Sequence, residues 1–252
     1  MSAYCRVPET EAATLKGVKK ILLTCFEPFG GSPVNASEQA LGEFCARLRS
    51  SPIDGAEIAV EVLPVAFAAG TRALAEAVSR HQPDAIVGFG EDTRRRYINV
   101  ETRGINQMHA RIADNSGDKP RKMTIDASPS APGSRELTFP ADPLVQAVGD
   151  AGLKAVVSTD AGSFVCNTLA YLLPEFGVPA AFIHLPALRQ DNRDIPGAGS
   201  GSRPDGQAPR GPAHPHSDPG RLRAPATIGD LATAVAAIVA VVAADTPPTR
   251  SG

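Results

Sequence analysis

Short apolar runs alternate with stretches of helical period along most of the chain. Residues 20–26 (KILLTCF) form an apolar run that stops at Pro28 and Gly30-Gly31, which predicts a buried strand feeding a loop. Residues 37–49 carry Leu41, Phe44, Cys45 and Leu48 at helical spacing, with Asn35 and Ser37 placed to cap the start. Residues 59–64 (AVEVLP) alternate as a strand does, and residues 66–80 read as an Ala-rich helix. Residues 84–90 (DAIVGFG) are another short buried strand, ending in glycine. Further strands are predicted at 97–101 (YINVE), 155–159 (AVVST) and 179–185 (PAAFIHL), and further helices at 143–151 and 166–173. This alternation predicts an α/β fold, a largely parallel sheet with helices on both faces.

Three stretches break the pattern. Residues 1–18 are polar and aperiodic, as in a flexible N-terminal extension. Residues 114–133, rich in Asp, Gly, Ser and Pro, read as an exposed loop or hairpin. Residues 187–225 hold 7 Pro and 6 Gly among 39 positions and no aromatic residue. Such a segment buries too little apolar surface to offset its ordering entropy, so a disordered insertion is expected. Order is expected to resume at Thr227, whose spacing to Asp230 resembles a capping box, with a helix over 228–244. The folded domain is then 19–186 together with 226–246. The apolar stretch 231–244 is 14 residues long, short of the ~18 that a membrane span needs.

Composition narrows the function classes. At 252 residues, one α/β domain absorbs most of the length. Lys+Arg is 25 against Asp+Glu 27, for a net charge of -2. This balance leaves no basic footprint for nucleic acid and no polybasic membrane patch. Cys5, Cys25, Cys45 and Cys166 include no CxxC pair, so neither a zinc ribbon nor a thioredoxin-type motif is present. The N-terminal residues lack the apolar core of a secretory signal, and a soluble, cytoplasmic, reducing setting is expected. GAGSG at 197–201 follows no strand and opens no helix, and His214 and His216 read as solvated.

The chemistry concentrates at Asp160-Ala161-Gly162-Ser163-Phe164-Val165-Cys166-Asn167. A strand ends, a turn of small residues follows, and Cys166 stands at the predicted start of a helix. A helix N-terminus carries roughly half a positive charge, which favours thiolate over thiol, and its free N–H groups can hold an oxyanion. His184 lies at the end of the next predicted strand. In a parallel sheet both strand ends open onto one carboxyl edge, where a histidine could take the thiol proton. Glu101, at the end of YINVE, is a candidate to orient that imidazole. Taken singly, each has an ordinary alternative: a buried structural cysteine, a core histidine and a surface ion-pair partner.

Four segments together resemble the pyroglutamyl-peptidase I (pyrrolidone-carboxylate peptidase) family of C15-type cysteine peptidases. Phe26-Glu27-Pro28-Phe29-Gly30-Gly31 with Asn35 and Ser37 resembles the family's FEPFGG…NPS. Glu101-Thr102-Arg103-Gly104-Ile105-Asn106, followed by Ala110-Arg111-Ile112-Ala113-Asp114-Asn115-Ser116-Gly117, resembles ERVAIN and ARIPDNEG. Ala161-Gly162-Ser163-Phe164-Val165-Cys166-Asn167 resembles AGTFVCN, and Phe182-Ile183-His184-Leu185-Pro186 resembles FIHVP. All four occur in family order.

The resemblance implies an α/β/α sandwich that removes an N-terminal pyroglutamyl residue from peptides, without metal or cofactor, and a homo-oligomer. It places the nucleophile on Cys166, the general base and acid on His184, and the orienting carboxylate on Glu101. Phe26 and Phe29 would line the pocket for the flat lactam ring, with Asn35 and Val165 also on the substrate side. Residues 90–95 (GEDTRR) are more charged than the family's glycine-rich GQAGGR. Two other readings stay open: a non-catalytic homologue that binds a peptide end, and an amidase acting on a different cyclic amide.

Overall fold

The computed structural model describes residues 18–188 and 222–246. Residues 1–17 of the expected extension and 189–221 of the expected insertion lie outside them, as do Cys5, GAGSG, His214 and His216. At the borders of that insertion, Leu188 packs on the core, and Arg223 bridges to Leu153 and pairs with Asp230.

In chain order the elements are β1 (Lys19–Phe26), α1 (Ala36–Leu48), β2 (Ala56–Leu63), α2 (Phe67–His81), β3 (Ala85–Asp92) and β4 (Ile98–Glu101). They continue with β5 (Arg103–Ile105), β6 (Ser134–Glu136), α3 (Ala141–Asp150), β7 (Ala155–Ser158), α4 (Val165–Leu172), β8 (Ala180–Pro186) and α5 (Ile228–Asp245). Six strands form one sheet in the order β2-β1-β3-β8-β4-β7, and β5 pairs with β6 in a separate ribbon. The sheet is largely parallel, as expected: β1–β2, β1–β3, β3–β8 and β4–β7 are parallel. The β4–β8 pairing is antiparallel.

That single reversal corrects one expectation. β7 runs with β4 and therefore against β8, so the ends of the 155–159 and 179–185 strands do not share a carboxyl edge. A four-residue apolar strand carries the same pattern in either direction, and its neighbour decides which one it takes.

The strands are apolar on both sides because helices cover both faces. Ile21, Leu23, Val87, Phe89, Ile183 and Leu185 face the cluster that includes Leu41, Phe44, Leu144, Val235 and Ile238 from α1, α3 and α5. Leu22, Phe26, Ile86 and Phe182 face the cluster that holds Leu74 of α2 and Val165 and Leu169 of α4. Asn35 and Thr227 cap α1 and α5 as expected, whereas Ser37, the other expected cap, lies inside α1 as the donor to Asn35. The Asn35 side chain accepts from Ser37 N at 3.0 Å, and Thr227 with Asp230 forms a complete capping box. α5 runs 18 residues and, by length and composition alone, could cross a bilayer. The length argument made on 231–244 therefore falls. What decides is packing: Leu231, Ala232, Ala234, Val235, Ile238, Val239 and Val242 sit inside the core.

The β5–β6 ribbon, absent from the sequence reading, lies against α4. Gly104 of β5 approaches so closely that a Cβ there would fall 2.2 Å from Tyr171 N and 2.5 Å from Tyr171 Cα. Backbone cannot yield as a side-chain tip can. Gly104→Ala is therefore expected to lower unfolding free energy by about 3 kcal/mol, read as a lower denaturant midpoint. An unchanged midpoint would refute the packing.

Candidate active site

The antiparallel step between β4 and β8 sets the first pair. Asn99 opposes His184 and Glu101 opposes Phe182, so Glu101 and His184 are diagonal neighbours on one face of the sheet. Glu101 Oε1 and His184 Nδ1 are 2.8 Å apart. The two side chains are 0% and 4% exposed. With Nδ1 turned to the carboxylate, Nε2 is the nitrogen left for other work.

Cys166 reaches this face from above. The turn after β7 passes Gly162, whose φ of 79° suits glycine, and ends at α4 with Phe164 as N-cap. Two contacts fix the turn: His109 N donates to Ser163 O at 2.8 Å, and Ser163 Oγ donates to His109 O at 3.1 Å. Asn167, next to the cysteine, ties α4 to β5. Its Oδ1 accepts from Ile105 N, and its Nδ2 donates to Ile105 O and Gln107 O, each at 2.9 Å. Cys166, at the second position of α4, is half-buried and hydrogen-bonded to the His184 side chain. No side chain caps this helix, so its first-turn N–H groups are left for a ligand.

The floor beneath is glycine. A Cβ on Gly90 would lie 2.8 Å from Cys166 Sγ and 3.2 Å from the Phe182 ring. A Cβ on Gly88 would meet that ring at 2.7 Å. The two glycines of VGFG thus let the thiol and the ring settle directly on β3.

Electrostatics follow from the packing. Burial by itself lowers the pKa of His184, but hydrogen bonds to Cys166 and Glu101 and their charges outweigh it, pushing it up from 6.5 to about 9. Asp92, at the end of β3, adds to the negative field. Burial disfavours its ionisation, yet hydrogen bonds from Arg94 and the charges of His184 and Arg94 hold its carboxyl at about 2.

Among the expected substrate-side residues, Phe29 stacks tilted on Phe164 with ring centroids 5.0 Å apart. Phe67 meets Phe164 edge-on at 5.2 Å. Phe26 and Val165 are buried in the adjoining apolar cluster at 2% and 1% exposure. The Asn35 amide is spent on structure: besides the cap, its Nδ2 donates to Glu27 O at 3.0 Å. Within the charged 90–95 segment, Glu91 turns away to accept from Ala36 N at 2.6 Å, at the start of α1. Sequence reasoning missed Phe164, Phe67 and Gly90. The first and last stood inside motifs already quoted, and only the fold shows what they touch.

Gly90→Ala is expected to push Cys166 Sγ off His184 and lower kcat about a hundredfold in a folded protein, measured by steady-state hydrolysis alongside a melting curve. Wild-type kcat would refute the close approach.

Comparison with known proteins places the chain in a family. The family model described as pyroglutamyl peptidase matches residues 19–207. A pyrrolidone-carboxylate peptidase of Gloeobacter violaceus is 38% identical over 186 residues, 72% of this chain and 88% of that protein. One from Erwinia tasmaniensis is 36% identical over 73% of this chain and 85% of that protein. The crystal structure of pyroglutamyl peptidase I from Bacillus amyloliquefaciens matches with a TM-score of 0.69 at 29% identity, covering 91% of this chain and 99% of its own. A mutant pyrrolidone carboxyl peptidase from P. furiosus matches with a TM-score of 0.71 at 26% identity, over 90% and 99% of the two chains. With the family model spanning most of the chain and these relatives matched nearly end to end, the chain belongs to the pyroglutamyl peptidase family of cysteine peptidases.

Proposed function

We propose that the chain hydrolyses the amide bond after an N-terminal pyroglutamyl residue of peptides through an acyl-enzyme on Cys166. The observation that carries this reading is the unbroken contact from Cys166 to His184 to Glu101 at an uncapped helix start. Relatives named as pyrrolidone-carboxylate peptidases favour it over a peptide-binding module or an amidase for another cyclic amide.

In this mechanism the proton of the Cys166 thiol rests on His184 Nε2, as the raised pKa of the imidazole favours, and Sγ attacks the pyroglutamyl carbonyl carbon. The oxyanion forms beside the first-turn N–H groups of α4, which lie in place before the reaction and cost no reorganisation. The C–N bond then breaks, and the His184 imidazolium gives its proton to the departing amine. Water enters and gives a proton to His184. The resulting hydroxide attacks the thioester, and the Cys166 thiolate leaves as pyroglutamate is released. Glu101 accepts from Nδ1–H throughout, which fixes the tautomer and stabilises the imidazolium. The apolar walls around Phe29 and Phe164 suit the flat lactam ring. A nucleophilic thiol must stay reduced, which supports the cytoplasmic setting expected from the sequence.

Cys166→Ala is expected to lower hydrolysis of a fluorogenic pyroglutamyl amide by about a thousandfold or more while leaving the fold intact. Retained turnover would sink the nucleophile assignment. The pH dependence has a definite sign. His184 is protonated below its raised pKa, so kcat falls as pH rises through about 9 and the leaving amine loses its acid. Stability follows the same group: its contribution is complete below the unfolded value of 6.5 and is lost as pH rises through about 9. Chemical unfolding of wild type and His184→Ala from pH 6 to 10 would show this loss in wild type alone.

A further inference from the structure

The orienting carboxylate is held on one side only. Glu101 Oε1 receives His184 Nδ1, but its Oε2 is buried and meets no hydrogen-bond donor among the described residues. A buried carboxylate with so few donors is costly unless positive charge stands close by. Arg95 supplies that charge. Its Nη2 lies 3.5 Å from Glu101 Oε1, too far for a strong hydrogen bond and near enough for an ion pair. The oxygen is thereby left to the imidazole, with a cation close by.

Each nitrogen of the guanidinium donates elsewhere. Nε donates to Asp92 Oδ2 at 3.2 Å at the end of β3. Nη2 donates to Asp160 O in the turn before α4. With its amide oriented to match its surroundings, Asn99 accepts from Nη1 at 3.2 Å and donates to Tyr97 O at 2.8 Å. Asn99 stands directly opposite His184 in the ladder. The Arg95 backbone is pinned as well, its N–H donating to Asp92 O at 3.0 Å. One planar fork therefore joins the three chain segments that deliver the site: the end of β3, strand β4 and the turn leading to Cys166. A lysine has the charge without the fork.

We infer that Arg95 is a positioning residue for the hydrolysis, holding the Glu101 carboxylate against His184 and fixing the Cys166 turn relative to β4. This rests on the Cys166–His184–Glu101 reading above. The charged and titratable groups facing His184 are Glu101 from β4, Cys166 from α4 and Asp92 from β3, with Arg95 behind Glu101. Removing a cation from behind the carboxylate favours the imidazolium, so the alkaline limb of kcat moves up.

The test is steady-state hydrolysis of a pyroglutamyl amide across pH by wild type, Arg95→Met, Arg95→Lys and Glu101→Gln, each checked for folding by circular dichroism. Arg95→Met is expected to lose about tenfold to a hundredfold in kcat, with KM within about twofold and the alkaline limb raised by about half a pH unit. Arg95→Lys should keep the limb in place and recover part of kcat. If Arg95→Met does not fold, Arg95→Lys decides: a lowered kcat with the limb unmoved supports the assignment, and wild-type kcat overturns it. An Arg95→Met enzyme with wild-type kcat and limb overturns it too. So does one that loses kcat with the limb unmoved and no rescue by Lys, which marks mere support of the fold. Full activity in Glu101→Gln would instead sink the orienting role of Glu101, and this inference with it.

Discussion

The structure depends on a buried hydrogen bond between two ionisable side chains, Glu101 and His184. A carboxylate and an imidazole out of reach of water are tolerable only if each charge meets its partner at close range and holds there. A long list of features serves that one requirement. The sheet reverses direction once, at β4, and the reversal makes the two residues diagonal neighbours. Phe182, fully buried, meets the imidazole in a T-shaped contact at 5.2 Å and keeps that side dry. In low dielectric the pair is strong, and His184 is kept cationic well above its ordinary range.

The second constraint is the approach of α4. Eight residues of helix would be marginal in isolation, and this one has no side-chain cap. Tertiary contacts hold it instead. Asn167 gives its amide to β5 and to Gln107 just beyond it, Gly104 lets the ribbon touch the helix backbone, and Gly90 lets Sγ reach the sheet. α1 and α5, which do no chemistry, carry side-chain caps. α4, which presents the cysteine, starts without such a cap, as α2 and α3 do. In α4, local stability has been given up where a reacting group needs the first-turn donors.

Much of this was legible in the sequence. The turn before Cys166, the strand that ends near His184 and the strand that carries Glu101 all have local signatures, and each element stands close to its expected position. Asn35, Thr227 and Asp230 announced their helix starts because capping is a matter of a few adjacent residues. What the sequence withheld is non-local. Nothing in INVE tells which way β4 runs, since period-two patterns are the same read in either direction. The β5–β6 ribbon is three residues a side, separated by 28 positions, and no periodicity survives at that length. Gly90 and Arg95 read as an ordinary strand-end glycine and one of three consecutive arginines, and their partners come from distant parts of the chain. The composition of α5 admits both a membrane span and a core helix, and only its packing separates them.

The most direct measurement is to catch the acyl-enzyme. Folded protein is mixed with an activated pyroglutamyl ester, quenched in acid within the first turnover, digested and analysed by mass spectrometry. A pyroglutamyl adduct confined to the peptide that holds Cys166, absent when Cys166 is alanine and slow to form when His184 is alanine, is the expected result. Steady turnover with no adduct on that peptide, or an adduct that forms equally well without His184, would contradict acyl transfer through the Cys166–His184–Glu101 array.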